Sequence, residues 1–274
     1  MRISLSVIIL TYNEELNLEN CLKNIADWTG EIFVVDSFSI DKTLEIAGQY
    51  GAKVVQHLFE NQAQQFNWAI DNLDIKNEWI LRLDADEYLT EELKEEIKKE
   101  ISSSTEVNGY FIKRRVYFMG RWMKHGGYYP TWLLRLFRKG KACSEQREMD
   151  EHIILLEGSA EKLKNDFIDD NKKNLESWIA KHNDFSTREA RERLKSEFVG
   201  IEGQAGRKRW IKQNLYLRLP LFLRAFLYFI YRYFFRFGFL DGKEGLIFHF
   251  LQGYWHQFLT DAKEYEAMKK IKHG

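Results

Sequence analysis

The chain has 274 residues, with 41 basic and 41 acidic side chains, and hydrophobic residues make up 45% of it. This composition excludes a disordered chain or a fibrous repeat, because it provides enough apolar surface for a sizeable core. Two cysteines, Cys21 and Cys143, are too few for a disulfide framework or a four-ligand zinc site, which is typical of a reducing cytosol. The opening residues, MRISLSVIIL, do not match an export signal, so we expect a cytoplasmic protein.

The first hundred residues alternate short apolar runs with amphipathic helical patterns. This alternation predicts βαβ units and a largely parallel sheet. The predicted strands are residues 5–10, 31–35, 53–56 and 79–83, and the predicted helices are residues 15–26, 41–49 and 62–73. In open sheets of this kind, ligands bind at the carboxyl ends of the strands. We therefore expect the segments after the first, second and fourth strands (TYNEE, DSFSIDKT and LDADE) to meet at one edge.

The middle of the chain continues with one helix and two strands. Thr90 is a good N-cap, so a charged helix is predicted to follow it and to end near residue 101. Strands are expected at residues 110–119 and 132–138. The glycine-rich, aromatic loop 120–130 between them is a candidate lining for an acceptor pocket. From about residue 163 onward the pattern indicates helix.

Asp84 and Asp86 follow a buried strand pattern directly. Carboxylates at such a position need a positive partner, because burying an unpaired charge is costly. Mg²⁺ and Mn²⁺ take oxygen ligands, and typically use one or two protein carboxylates completed by phosphate oxygens and water. A metal bound to a diphosphate fits that pattern. The alternative is that the two aspartates only cap the turn into the next helix.

The residues TYNEE, Asp36 and Asp84-Ala85-Asp86 resemble, in order and spacing, the family 2 glycosyltransferases. That family has the GT-A fold, an α/β, Rossmann-like nucleotide-sugar-binding domain with a mainly parallel central sheet. The segments MDEHIILLEG and FGFLDGKEG resemble the subgroup that includes the lipopolysaccharide inner-core β-1,4-glucosyltransferases. We predict a GT-A catalytic domain at residues 1–165, divided into a nucleotide-sugar-binding half (1–100) and an acceptor-binding half (101–165). Residues 166–274 are predicted to form C-terminal amphipathic helices.

The resemblance implies a donor site for a UDP-sugar and a site for Mg²⁺ or Mn²⁺. Asp36 would accept a hydrogen bond from the uracil N–H, and Asp86 would ligate the metal that bridges the diphosphate. The residues implied in donor or metal binding are Thr11, Asn13, Glu14, Asp36, Asp84, Asp86 and Arg135. Arg135, with Arg138 as a second candidate, would neutralise the leaving diphosphate. For Asn13 and Asp36, turn and N-cap duty is the alternative role.

One segment departs from the family pattern. Where many members have an Arg or Lys, residues 61–67 read NQAQQFN. Contacts from this helix to the diphosphate are therefore in doubt, and Gln64, Gln65 and Asn67 are weak substitutes because such side chains are usually solvated.

Family 2 enzymes are typically inverting, which implies a single displacement and a general base. Glu151, with Asp150 next, is the candidate base, because the matching family segment carries its catalytic acid just before an apolar run. A base placed near the acceptor hydroxyl is worth about 10²–10⁴-fold in rate. The alternative is a surface acidic pair neutralised by Arg147.

Residues 204–240 hold eight basic side chains and no acidic one, so the remainder of this neutral chain carries a net charge of −8. Residues 220–237 are predicted to form one helix that has its arginines, Arg224, Arg232 and Arg236, within an arc of about 120°. We expect the arginines to face the phosphates of an anionic membrane and the aromatic residues to enter the headgroup region. The alternative is that the apolar face completes the core of the protein. Nucleic-acid binding leaves the carboxylate motifs unused and is not expected.

These patterns together predict a metal-dependent, inverting glycosyltransferase. It would move glucose or another hexose from a UDP-sugar to a lipid-linked cell-surface glycan such as lipopolysaccharide core, at the inner face of the cell membrane. Transfer to polyprenyl phosphate is the first alternative, and a non-catalytic nucleotide-sugar-binding or membrane-adaptor protein is the second.

Overall fold

The computed structural model describes residues 2–103, 106–147, 149, 151–194 and 203–273. The chain divides into two units: the first comprises Met1–Tyr117 and Pro130–Lys173, and the second Phe118–Tyr129 and Asn174–Gly274. The predicted domain boundary after residue 165 therefore falls within the first unit. The loop predicted at 120–130 belongs almost entirely to the second unit.

The strands and helices follow the predicted order over the first hundred residues. The strands are β1 (Ile3–Thr11), β2 (Thr29–Asp36), β3 (Lys53–Gln56), β4 (Trp79–Asp84), β5 (Glu87–Leu89), β6 (Val107–Phe118), β7 (Arg121–Trp122), β8 (Thr131–Arg138), β9 (Ala142–Ser144), β10 (Ile153–Leu155) and β11 (Ser159–Asp170). The helices are α1 (Leu18–Ile25), α2 (Thr43–Gln49), α3 (Gln62–Asn72), α4 (Glu91–Ser102), α5 (Leu175–Leu194), α6 (Gly203–Asn214), α7 (Leu223–Ile230), α8 (Gly242–Phe248) and α9 (His256–His273).

The main sheet of the first unit has the strand order β3-β2-β1-β4-β8-β6-β11-β5. Strands β1 to β4 are parallel, and β8 runs antiparallel to both β4 and β6. This mixed but mainly parallel α/β sheet confirms the predicted fold class. In the register of the sheet, Thr11 lies beside Asp36 and Leu10 beside Asp84, so three strands end at one edge, as predicted.

Successive side chains of β1 point to opposite faces of the sheet, and a separate hydrophobic core covers each face. Val7 and Ile9 pack with α1 residues such as Leu22 in one hydrophobic cluster. Ile8 points the other way and packs in a second cluster with Phe66 of α3. A parallel strand that is covered on both faces reads as a continuous apolar run, which is why the SVIIL segment was recognisable in the sequence.

The prediction of helix from residue 163 is wrong for the first part of that region. Residues 159–170 form β11, which pairs parallel with β6 and antiparallel with β5. Only Leu163, Asp166 and Phe167 of this strand are buried. Its Glu and Lys residues favour helix by local propensity, but pairing with two neighbouring strands outweighs that preference. Helix α5 begins only at Leu175.

The second unit has a network of ion pairs in its interior. Arg224 of α7 donates to Asp261 of α9 at 2.8 Å and to Glu264 at 2.6 Å. Arg193 of α5 donates to Asp261 at 2.9 Å and to Glu189 at 2.9 Å. Burying such charges is tolerable only because each is paired and hydrogen-bonded.

The sequence predicted that Arg224, Arg232 and Arg236 all face outward toward a membrane. This prediction is wrong for Arg224 and Arg232. Arg224 and Arg232 are buried, and only Arg236 is exposed. Arg232 donates to the carbonyl oxygen of Gly126 at 2.9 Å and lies over the ring of Tyr128. Partners elsewhere in the chain, which helix periodicity does not reveal, draw these two side chains inward. Within the described ranges, no helix combines the length and the apolar character needed to span a membrane.

Candidate active site

The loops after β1 and β2 are joined by hydrogen bonds at the carboxyl edge of the sheet. The backbone N–H of Asn13 donates to Ser39 Oγ at 2.8 Å, and the Asn13 side chain accepts from the N–H of Ile40 at 2.9 Å. The N–H of Glu14 donates to Thr43 Oγ1 at 2.7 Å. Asn13 has a φ of 53°, a left-handed conformation that Asn tolerates better than most residues. Asn13 and Glu14 therefore fix the shape of this edge.

Asp36 lies at the end of β2 and is completely buried. Its carboxylate accepts hydrogen bonds from Thr11 Oγ1 at 2.9 Å, from Gln56 Nε2 at 3.2 Å, and from both the backbone and the hydroxyl of Ser39. These bonds give Asp36 the turn-forming role that was the alternative to uracil binding. Thr11 is also buried, so the structure places both residues beneath the surface of the edge.

The segment that follows β11 links the two acidic motifs. Asn171 Nδ2 donates to Asp86 Oδ2 at 2.7 Å, and Lys173 Nζ donates to Glu14 Oε1 at 2.6 Å. The N–H of Lys172 also donates to Asn17 at 2.7 Å. The ends of β1 and β4 are thus bridged by a segment that the sequence analysis assigned to a helix.

Asp84 is flanked by two buried arginines. Arg135 Nη2 lies 3.2 Å from Asp84 Oδ2, and Arg82 Nε lies 3.6 Å from Asp84 Oδ1. Arg135 also donates to Glu87 at 2.7 Å, and Glu87 accepts from the N–H of Asp84 at 2.8 Å. Through these contacts the buried Arg135 holds Asp84 and Glu87 in place from the interior of the protein. Its predicted contact with the donor diphosphate remains a prediction.

Glu87 adds a titratable group beneath the acidic edge. Burial raises the pKa of Glu87 to about 8; nearby Asp84 and Asp86 add to the rise, and Arg135 opposes it. Burial lowers the pKa of Arg135, but Glu87 and Asp84 outweigh that effect and raise it, so this guanidinium stays charged. Arg135 therefore remains a cation at the centre of a group of carboxylates.

Glu151 lies at the same edge and is mostly buried. Arg82 Nη2 is 3.8 Å from Glu151 Oε1, so a single guanidinium contacts both Asp84 and Glu151. With its amide oriented to satisfy both neighbours, Gln62 donates to Glu151 at 3.1 Å and accepts from Arg82 at 2.7 Å. Glu151 lies two residues before the start of β10, the apolar run predicted to follow the candidate base. Asp150, the second candidate, lies outside the described residues.

Other polar residues near this edge stabilise the fold. Gln65 donates to Ser37 and to the carbonyl of His57, and Asn67 exchanges two hydrogen bonds with the backbone of Ser144. These bonds occupy two of the three amides that were weak candidates for diphosphate contact, Gln65 and Asn67. Arg138 lies beside Trp79, at the amino end of β4, and so at the opposite end from the acidic motifs. Arg138 is therefore excluded as a ligand of the diphosphate.

Four residues at this edge were not predicted from the sequence: Arg82, Glu87, Asn171 and Lys173. Arg82 had a recognisable signal, since an arginine inside the apolar run WILRLD requires a partner when the strand is buried. Glu87 belonged to the LDADE segment, but nothing in the pattern separated it from a surface residue. Asn171 and Lys173 gave no local signal, because their partners are far away in the sequence.

The donor set at the edge fits a divalent cation that also binds phosphate. Asp86 is half-buried, and the carboxylates of Asp84 and Asp86 supply the hard oxygen ligands that Mg²⁺ and Mn²⁺ prefer. Across the part of the chain that the structure describes, no group of three or more His, Cys, Asp or Glu residues is arranged to hold a metal by itself. Mg²⁺ usually has only one or two carboxylate ligands from the protein, and phosphate oxygens and water complete its coordination.

A mainly parallel α/β sheet with an acidic carboxyl edge defines the class of nucleotide-binding folds in which ligands bind at the strand ends. The model of the family described as glycosyl transferase family 2 matches residues 6–153, more than half of the chain. The chain belongs to this family, as the sequence predicted.

Three known proteins illustrate this relationship. An uncharacterised glycosyltransferase of Rickettsia bellii (strain RML369-C) is 45% identical over 93 residues, 33% of this chain and 30% of that protein, so the match spans less than a third of the relative. The lipopolysaccharide core biosynthesis glycosyltransferase LpsC of Rhizobium meliloti (strain 1021) is 26% identical over 206 residues, 71% of this chain and 73% of LpsC. The mannosyltransferase PcManGT of Pyrobaculum calidifontis, solved with GDP-Man and Mn²⁺, shares the fold with a TM-score of 0.56 at 15% identity, over 97% of this chain and 88% of its own.

Proposed function

We propose that this protein is an inverting glycosyltransferase that moves a hexose from a UDP-sugar to a hydroxyl group of a lipid-linked glycan. The observation that carries the proposal is the convergence of Asp36, Asp84, Asp86 and Glu151 at one edge of the sheet. Membership of glycosyl transferase family 2 supports the reaction class. The mannosyltransferase of similar fold, solved with a nucleotide-sugar and Mn²⁺, supports this type of donor.

The nucleoside of the donor would bind at the loops after β1 and β2. Asp36 already accepts four hydrogen bonds, and the longest of them comes from Gln56 at 3.2 Å. A carboxylate has about four acceptor sites, so a bond from the uracil N–H would take the place of this weakest one. Asn13 and Glu14 would contact the base or ribose from the rigid loop above. The Glu14 carboxylate would then bind both the nucleoside and Lys173.

Asp86 would be the principal ligand of Mg²⁺ or Mn²⁺. Arg82 and Arg135 both contact Asp84, whereas Asp86 receives a hydrogen bond from the neutral Asn171. Asp86 therefore has more of its negative charge available to a cation, and Asp84 would orient the ribose or complete the coordination. When bound, the cation supplies positive charge to the leaving diphosphate, which is worth several kcal/mol in a preorganised site.

Glu151 would accept the proton of the acceptor hydroxyl. As the hydroxyl oxygen forms its bond to the anomeric carbon, the bond from that carbon to the diphosphate oxygen breaks and its electron pair leaves with the nucleotide. Arg82 Nη2 lies 3.8 Å from Glu151 Oε1, so Arg82 would help to position this carboxylate. Asp150 remains the second candidate for this role.

The acceptor would be a lipid-linked glycan such as lipopolysaccharide core, and the reaction would take place at the cytoplasmic face of the cell membrane. The support for this acceptor is the similarity to LpsC, which extends over most of both chains. A product that moves into organic solvent as a simple lipid-linked monosaccharide would instead indicate transfer to polyprenyl phosphate.

The test is calorimetric titration of UDP and a panel of UDP-sugars, with and without Mn²⁺, followed by a transfer assay with the tightest donor. We expect metal-dependent binding that is lost in Asp86→Ala. The matched control, Asp74→Ala, removes an exposed aspartate that pairs only with Lys76 among the contacts described, and it should bind as the wild type does. If the folded protein binds no nucleotide under any of these conditions, the transferase proposal is wrong.

A further inference from the structure

Helix α7 and the turn that follows it expose an apolar stripe. The stripe consists of residues three or four positions apart, a spacing that places them on one face of a helix. Each has more than two fifths of its surface open to solvent, and Phe235 has 71% open. The stripe residues are Leu223, Phe226, Leu227, Tyr231, Phe234 and Phe235.

The opposite face of the same helix is polar and buried. Arg224 and Arg232 lie eight residues apart on this face and are 2% and 3% exposed. Arg224 is held by Asp261 and Glu264, and Arg232 by the backbone of Gly126. Arg224 and Arg232 therefore fix which face of α7 points inward. The apolar stripe cannot turn into the core of its own unit without breaking these ion pairs.

The segment of the chain that contains the stripe is rich in exposed positive charges. Across described residues 203–243 every carboxylate is internal, since the single acidic residue there, Asp241, is buried against His125. The exposed basic residues in the same range are Arg207, Lys208, Arg218, Arg236 and Lys243. A surface that combines exposed phenylalanines with an excess of cations in the same segment is complementary to anionic lipid headgroups.

We propose that the apolar stripe is the membrane-binding surface of this protein, and that it lies in the plane of an anionic bilayer. Residues 223–235 would extend about 20 Å as a helix, shorter than the hydrocarbon core of about 30 Å, so the stripe cannot cross the bilayer. The phenylalanines enter the interface, and exposed residues such as Arg236 contact lipid phosphates. The buried arginines orient the helix and do not contact lipid.

Membrane binding through this stripe does not depend on the proposed transferase activity, because it is measured without a sugar donor. The two proposals therefore fail separately. A protein that binds vesicles but no nucleotide would disprove the transferase function alone. A protein that transfers sugar to a soluble acceptor but ignores vesicles would disprove the membrane surface alone.

The experiment is flotation of the full chain with vesicles of phosphatidylcholine, with and without 30 mol% phosphatidylglycerol. The test variant combines Phe234→Ser and Phe235→Ser, both at exposed positions that should not affect folding. The matched control combines Leu58→Ser and Phe59→Ser, two consecutive apolar residues of the first unit that are 70% and 45% exposed. Circular dichroism melting curves verify that all three proteins are folded.

We expect the wild type and the control to float with anionic vesicles, and the partition coefficient of the Phe234/Phe235 variant to fall at least tenfold. Raising the salt to 0.5 M should reduce the partition coefficient of the wild type by a smaller factor than the Phe234/Phe235 substitutions do, because apolar contact contributes most of the binding energy. Equal binding by the wild type and the test variant would overturn the proposal. A wild-type dimer that ignores vesicles and dissociates in the test variant would identify a second copy of this chain as the occupant instead.

Discussion

The two units of this protein place their charges in different ways. Among the described contacts at the acidic edge of the first unit, more carboxylates than cations come together, even without Glu87, whose pKa is raised: Glu14, Asp36, Asp84, Asp86 and Glu151 against Arg82, Arg135 and Lys173. In the described ion-pair network around Asp261 in the second unit, carboxylates and cations are equal in number: Glu189, Asp261 and Glu264 are joined to Arg193, Lys212 and Arg224.

The difference separates a candidate site from a structural network. In a balanced, buried set of ion pairs, each charge has a partner and the pairs hold the helices together. Removing one partner destabilises the fold, because it leaves an unpaired buried charge. An edge with surplus negative charge, and with residues such as Asp86 only half-buried, favours the arrival of a cation. Charge density in the sequence did not distinguish the two, since three of the six arginines in the most basic segment, residues 204–240, are buried.

The largest expected effect concerns the acidic edge. Replacing Glu151 by Gln should lower the rate of sugar transfer by about 10²–10⁴-fold, because a general base is lost, and should leave binding of UDP and Mn²⁺ unchanged. Transfer of radiolabelled sugar and calorimetry measure the two quantities. Glu157→Gln, at an exposed position, is the control and should have wild-type activity. Undiminished turnover in Glu151→Gln would move the base assignment to Asp150.

The second prediction addresses the balanced network. Arg224→Met should reduce the free energy of unfolding by about 3–5 kcal/mol, because Asp261 and Glu264 would be left buried without this partner. Arg236→Met removes an exposed arginine of the same segment and should change stability by less than about 0.5 kcal/mol. Urea unfolding curves measure both. Equal changes in the free energy of unfolding would contradict the burial of Arg224 and the exposure of Arg236.

The third prediction concerns His182, a titratable residue that the second unit shields from water. Burial lowers the pKa of His182 to about 4, and this ring stacks on Trp178. Between pH 6.5 and 4 the unfolded chain therefore binds the proton more readily than the folded one, so stability falls as the pH falls. We expect a loss of about 2 kcal/mol across this window that is absent in His182→Phe. Parallel pH dependence of the two proteins in urea unfolding would contradict the lowered pKa.

The smallest predicted effect would show whether Arg82 is a positioning residue. Arg82→Gln removes the cation 3.8 Å from Glu151, so the acidic limb of the kcat/KM profile should move to higher pH. Arg138→Gln, at the far end of β4, is the control and should leave the profile in place. A uniform loss of activity at every pH in Arg82→Gln would indicate only a structural role.

Local sequence patterns predicted the first half of the fold well and the last part of the sheet poorly. The β1 to β4 strands were recognisable because each is an apolar run with helical periodicity between the runs. Strand β11 was not, because half of its residues are charged and its pairing with β6 and β5 is set by residues 51 to 82 positions away. At the candidate site, TYNEE, Asp36 and Asp86 were visible as carboxyl-end segments. The contacts of Arg82 and Lys173 were not.

The sequence by itself determined the order of the βαβ units, the family, and the meeting of three acidic segments at one edge, because parallel strands separated by helices must end on the same side. It also showed that the tail helix has one apolar and one basic face. Only the tertiary structure decided which face points inward. Arg224 and Arg232 turn toward Asp261, Glu264 and the carbonyl of Gly126 because a buried cation requires a partner, and those partners lie on other parts of the chain.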